Sequence, residues 1–149
     1  MQTLEINKET NKVIDARGPR FSAVITTLVL AVALATNNLW VIVMQAIVFA
    51  IGAFRGPQFT PYAAIFRVVI KPRLKSAAVT EDVRPPQFAQ SVGLLFALTA
   101  ITGLVIGINA LFLIAVSFAL AAAFLNAAFN FCLGCEIYLL ILRVRLAHG

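Results

Sequence analysis

The sequence predicts an all-α membrane protein with four transmembrane helices arranged as two hairpins. Three observations predict it. Hydrophobic residues fill 61% of the 149 positions and charged residues only 12%, against roughly 45–50% and 25% in soluble domains. The charges are also segregated, with no Asp, Glu, Lys or Arg in the 34 residues from Phe21 to Phe54 or in the 51 from Pro85 to Cys135. One crossing takes about 20 apolar residues, so each block suits two helices. Finally, each block holds asparagine near its middle, Asn37-Asn38 in one and Asn109 in the other, and asparagine tolerates the left-handed geometry of a tight turn.

In chain order, residues 1–16 form a polar arm of mixed charge, and 17–149 a single membrane domain. Pro19 opens the first span, since a helix accepts proline in its first turn. Spans are expected at about 21–36 and 39–54, each short for a bilayer core of about 30 Å. Tyr62 to Ile70 is apolar apart from Arg67 and is followed by Lys71, Arg73 and Lys75, which suits a short interfacial helix over 62–70. Ser76 to Pro86 reads as a solvent loop. Two further spans follow at about 89–107 and 110–130, then a short helix at 136–146. Gly103 and Gly107 form a G-x-x-x-G pattern, and Ala115, Ala119, Ala123 and Ala127 a row of four-residue spacing. Such rows let helix backbones approach closely in lipid.

With four spans, all 12 Lys and Arg fall on one side, and the opposite turns have none. The positive-inside rule makes that side cytoplasmic, with both termini there. The net charge of +6 therefore suits topology and contact with membrane lipids rather than nucleic acid, because the basic residues stand singly or in pairs beside apolar blocks. The first twenty residues do not read as a cleavable signal. Arg-x-Pro-x-Phe occurs at Arg17 to Phe21, Arg55 to Phe59 and Arg84 to Phe88. The first and third copies each introduce an uncharged hairpin, as expected of a parallel repeat; the bland alternative is that this pattern merely starts spans well.

Chemistry is concentrated in Phe131-Cys132-Leu133-Gly134-Cys135-Glu136, which holds both cysteines. About 20 residues from Ala110 bring the chain back to the cytoplasmic edge near Asn130. A straight helix from Ala110 to Leu142 would be about 50 Å long, so a break is expected, at Gly134. The following helix could then pack beside Tyr62 to Ile70. A C-x-x-C pair can exchange disulfides, bind metal or fill space. A helix start favours thiolate at the first cysteine, and the charge of Glu136 opposes it. A structural zinc site needs about four ligands. Two cysteines and His148 do not supply them, so metal binding would require two pooled pairs from different subunits.

Ile14-Asp15-Ala16-Arg17-Gly18-Pro19-Arg20-Phe21, Gly52-Ala53-Phe54-Arg55-Gly56-Pro57, Arg84-Pro85-Pro86-Gln87-Phe88-Ala89-Gln90 and Phe124-Leu125-Asn126-Ala127-Ala128-Phe129, leading into the cysteine segment, together resemble the bacterial integral-membrane domain-of-unknown-function family 4395 (DUF 4395). The resemblance covers almost the whole chain after the first dozen residues. It implies a bacterial plasma-membrane protein without an established activity or cofactor. It also implies thioredoxin-like or rhodanese-like neighbours, in keeping with a thiol or persulfide role for Cys132 and Cys135.

Three functions stay open. In a thiol-disulfide or sulfur-relay protein, a thiol oxidoreductase of the membrane edge, Cys132 attacks, Cys135 resolves, and Glu136 or Asn130 tunes the pair or relays protons. In an accessory subunit of a larger membrane complex or oligomer, the small-residue faces pack against other proteins and the cysteines are filler. A small transporter is disfavoured by the absence of charge within the spans; its polar candidates are Gln45, Asn126 and Asn130, the last two on one helical face. Hydrolysis has no support, since the sole histidine is next to last, the carboxylates lie outside the spans, and no phosphate-binding glycine loop is present.

Overall fold

The computed structural model describes residues 13–15, 17–74 and 80–148. Four helices form the body: α1 (Arg17–Thr36), α2 (Leu39–Phe54), α4 (Arg84–Ile106) and α5 (Asn109–Phe129), with a short α3 (Pro61–Ile65) between the pairs and α6 (Leu133–His148) after them. Three of them, α1, α4 and α5, are long and apolar enough to cross a membrane, while α2 has 16 residues.

Both turns lie at one end of the bundle. Asn37 is left-handed at φ 51°, and its Nδ2 donates to Asn109 Oδ1 at 3.0 Å. Asn38 caps α2 by accepting the Trp40 N–H at 2.9 Å, which satisfies one of the donors a helix start leaves open. At the other end Gln87 Nε2 donates to the Ala53 carbonyl at 2.9 Å and Arg20 Nε to the Ala127 carbonyl at 3.2 Å. The hairpins α1–α2 and α4–α5 are therefore oriented alike. Each helix packs on its hairpin partner and on one helix of the other hairpin, α1 on α5 and α2 on α4. Exchanging the hairpins exchanges those two interfaces.

All four helices contribute to the core, through Leu30 of α1, Ile42, Ala46 and Phe49 of α2, Ala97 and Ala100 of α4, and Phe112, Ala115, Val116 and Ala119 of α5. Alanines make up half of this set, which brings the backbones close. The outside is apolar as well: Leu28, Trp40, Leu95 and Phe118 are all more than 60% exposed. A helix that is apolar on every side belongs in a large core or in lipid, so this surface is compatible with a membrane protein.

Some expectations hold and others are corrected. Gly103 makes the close helix approach expected of the G-x-x-x-G pattern, against the first turn of α5, and Gly107 does not. Gly107 ends α4 in the left-handed region at φ 83°, and a Cβ at Gly103 would lie 2.8 Å from the Phe112 nitrogen and 2.9 Å from the Ile108 carbonyl oxygen. The pattern thus builds the turn into α5. The alanine row serves as the expected packing seam, with Ala115 and Ala119 buried inside the bundle. Helix α4 begins at Arg84 rather than Ala89, because Pro85 and Pro86 fit the first turn. The presumed loop also contains a strand: β1 (Val13–Asp15) pairs antiparallel with β2 (Thr80–Asp82), Ile14 opposite Glu81. These segments lead into α1 and α4, whose starts share one end of the bundle. Residues 1–12 and 16 of the polar arm, and 75–79, lie outside the described residues.

The segment expected as one interfacial helix over 62–70 is irregular, with α3 widening into a π-helical turn at Phe66–Ile70 and tightening at Lys71–Arg73. It is pinned against the bundle. Phe66 packs on Phe21 with ring centroids 5.8 Å apart, and the Tyr62 hydroxyl donates to Gln45 Oε1 at 2.7 Å. Gln45 is thereby held in the core as the anchor of this segment.

Candidate functional site

The cysteine segment is shaped by how α5 ends. Asn130 takes the left-handed conformation at φ 54°, and the N–H groups of Asn130 and Phe131 both turn back to the Leu125 carbonyl. This is the usual way to stop a helix, and asparagine is one of the few side chains that does it cheaply. The break therefore lies at Asn130, four residues before the expected Gly134. Asn130 is exposed and no longer on a helical face with Asn126, so its established part is to end α5.

Helix α6 restarts at Leu133. Cys132 stands directly before it, where its carbonyl accepts the Glu136 N–H at 3.0 Å and its Sγ accepts the Cys135 N–H at 3.1 Å. A side chain that accepts an N–H three residues on is the geometry of a helix cap. The two sulfurs are joined in a disulfide, with Cα atoms 5.1 Å apart. Both cysteines are half-buried, and Glu136 is exposed in the first turn of α6.

What holds the pair in place was invisible in the local sequence. Gly134 lies inside α6 and serves close approach: a Cβ there would sit 2.6 Å from the Ala89 Cβ and 2.7 Å from its Cα. One turn on, Tyr138 meets Phe88 with centroids 5.7 Å apart. Helix α6 thus leans on the first turns of α4, its principal neighbour, and not on the Tyr62 to Ile70 segment as expected. The signal that could have pointed to this was the joint presence of Phe88-Ala89 and Gly134, a small-residue match between distant segments.

Chemically, the arrangement can hold or release two electrons. Reduction of the disulfide would leave Cys132 sulfur at the positive end of α6, facing the Cys135 N–H, where negative charge is favoured. Among the described residues, no group of three His, Cys, Asp or Glu is gathered to hold a metal ion. The side chain of His148 lies outside what is described.

Fold and pair together define the class: a small all-helical protein with an apolar exterior and one C-x-x-C at a helix start. The chain belongs to the domain of unknown function family DUF4395, whose model matches residues 14–143. The match includes the cysteine pair and most of α6. No curated protein and no solved structure matches the chain.

Proposed function

We propose that this is a four-span protein of the bacterial plasma membrane, with both termini cytoplasmic, that exchanges disulfides with a cytosolic thioredoxin-like or rhodanese-like partner through Cys132 and Cys135. The observation that carries it is the bonded pair at the start of α6, with Cys132 Sγ receiving the Cys135 N–H. The topology is supported by charge. Arg17, Arg20, Arg55 and Arg84 belong to the end opposite the Asn37 and Asn109 turns, and Trp40 marks the uncharged end as an interfacial aromatic would. The exposed apolar face of α6 formed by Leu139, Leu142 and Leu146 then lies along the membrane surface.

In the reducing direction, Cys132 thiolate attacks one sulfur of the partner's disulfide. That bond breaks, the partner's other sulfur leaves as thiolate, and a mixed disulfide joins the proteins. Cys135 gives up its proton and attacks Cys132 Sγ, releasing the partner's second thiolate and restoring the bond seen here. Two electrons have passed to the partner, and the steps run backwards in the oxidising direction.

Replacing Cys135 with serine removes the resolving sulfur, so a mixed disulfide between Cys132 and the partner should accumulate in intact cells and vanish on reduction. A pair that stays locked in one redox state, with no mixed disulfide trapped, excludes exchange. Of the small residues on which the accessory-subunit alternative relied, Gly103, Ala115 and Ala119 are used inside the bundle.

A further inference from the structure

The stripe of α6 that carries the disulfide has no charge on it. Cys135, Leu139, Leu142 and Leu146 follow one another at alternating spacings of four and three residues, which puts them within about 60° of one another around an α-helix. The three leucines are exposed. Arg143 and Arg145 stand on opposite flanks of this stripe, the pattern of a helix whose apolar side enters a membrane surface while its basic residues reach the headgroups. A second apolar face, Leu133, Ile137, Leu140 and Val144, lies on the far side of Arg143.

The chain that leads into the pair is apolar and aromatic. Phe129 ends α5 and Phe131 directly precedes Cys132, and both are exposed. Phe129 meets Phe124 edge to face, with ring centroids 6.2 Å apart. Exposed phenylalanines suit the same membrane boundary as the leucine stripe. Cys132 and Cys135 are half-buried, so the disulfide lies at the start of a surface that faces lipid and is open to a small apolar molecule arriving from it.

We infer that the oxidant that restores the Cys132–Cys135 disulfide is a lipid-soluble quinone, taken from the membrane at this stripe. The inference deepens the exchange reading above, and rests on it and on α6 lying along the membrane surface. Oxidising a partner's dithiol leaves both cysteines as thiols, and the cycle closes only when two electrons leave the pair. A quinone accepts two, and its tail keeps it in the lipid. Cys132 thiolate, favoured at the start of α6, adds to a ring carbon and forms an S–C bond. Cys135 then gives up its proton and attacks Cys132 Sγ. The S–S bond forms, the S–C bond breaks, and its electron pair stays on the ring. The quinol dianion takes up two protons, matching those the two thiols released. The pair is oxidised by two electrons and the quinone is reduced by two.

The test uses the full chain in phosphatidylcholine nanodiscs, reduced and then freed of reductant without oxygen. A fully substituted benzoquinone with a decyl tail is added, because a ring with no C–H position does not trap the thiolate permanently. Quinone absorbance should fall with saturable kinetics, with one quinol formed per disulfide. The same ring on a charged tail that stays in water should react about ten-fold or more slowly. Leu142→Glu puts a carboxylate on the stripe and should slow the lipid-soluble quinone about ten-fold or more, since apolar surroundings penalise an isolated charge. Leu140→Glu puts the same charge on the other face and should not. Glutathione disulfide reads the pair from water; it should oxidise wild type and both variants alike, which also reports that the variants fold. Should Leu142→Glu fail to fold, the two tails compared on the wild-type chain decide. Oxidation by glutathione disulfide but not by the quinone overturns this inference and leaves disulfide exchange standing, whereas oxidation by neither overturns both. Equal rates for the two tails, or equal slowing by the two glutamates, also overturns the inference.

Discussion

At the scale of single residues, Gly134 is the most constrained position beside the cysteines. Adding one methyl group would bring it within 2.7 Å of Ala89 Cα, a backbone atom that cannot rotate aside. Gly134→Ala should therefore lift α6 off α4, at a cost of about 1–3 kcal/mol typical of overpacking. The expected readout is a lowered unfolding temperature together with faster reduction of the Cys132–Cys135 disulfide. Ala89→Gly in the same chain should recover part of both effects. Asp15 makes a second prediction. Its carboxyl is held below the ordinary value of 3.8, chiefly by the hydrogen bond from the Arg17 side chain and less by the charge of Lys71, with burial acting the other way. A depressed folded value means that the stabilisation is complete above the unfolded value and lost as pH falls through the folded one. Asp15→Asn should thus lower the unfolding temperature at pH 7 by the equivalent of about 1 kcal/mol or less. The gap between variant and wild type should close as the pH drops below about 4.

At the scale of elements, the two glycines closing the α4–α5 hairpin should respond differently. Gly107 has open space around its missing Cβ but a left-handed backbone, so Gly107→Ala should cost about 1 kcal/mol and Gly107→Asn less. Gly103 meets the backbone of Phe112 and Ile108, so asparagine offers it no relief and Gly103→Asn should cost more than Gly107→Asn. Unfolding of the purified variants in detergent checks the order. These glycines also show where sequence is ambiguous. Hydropathy and charge segregation are properties of long segments, and they located every body helix to within a few residues, α4 excepted at its start. G-x-x-x-G, by contrast, needs only a close neighbour, and nothing in its spacing says whether that neighbour is another protein, another helix or the next turn. The same holds for the C-x-x-C segment. Asn130 breaks the helix by its own left-handed backbone, and Gly134 instead serves close approach to Ala89, a contact between residues 45 apart in sequence.

For the whole molecule, α2 decides the topology. Its 16 residues span about 24 Å, less than the roughly 30 Å of a bilayer core, and by length alone it falls outside the set of helices fit to cross. Its neighbours argue otherwise. The turn before α2 is tied to the turn before α5 by Asn37 and Asn109, and Ala53 near its end is tied to Gln87 in the first turn of α4. A helix whose two ends are joined to the ends of α4 and α5 covers the same height of the bundle, so the proposed topology requires it to cross with them, local thinning making up the difference. On the proposed topology, four crossings would place both hairpin turns outside and the basic end inside. In a Cys132→Ser, Cys135→Ser background, a single cysteine at Asn38 or Ile108 should react with a membrane-impermeant maleimide in intact cells. One at Arg73 should react only after permeabilisation. If α2 does not cross, Asn38 and Ile108 must report opposite sides, and the Asn37–Asn109 hydrogen bond could not form in the membrane.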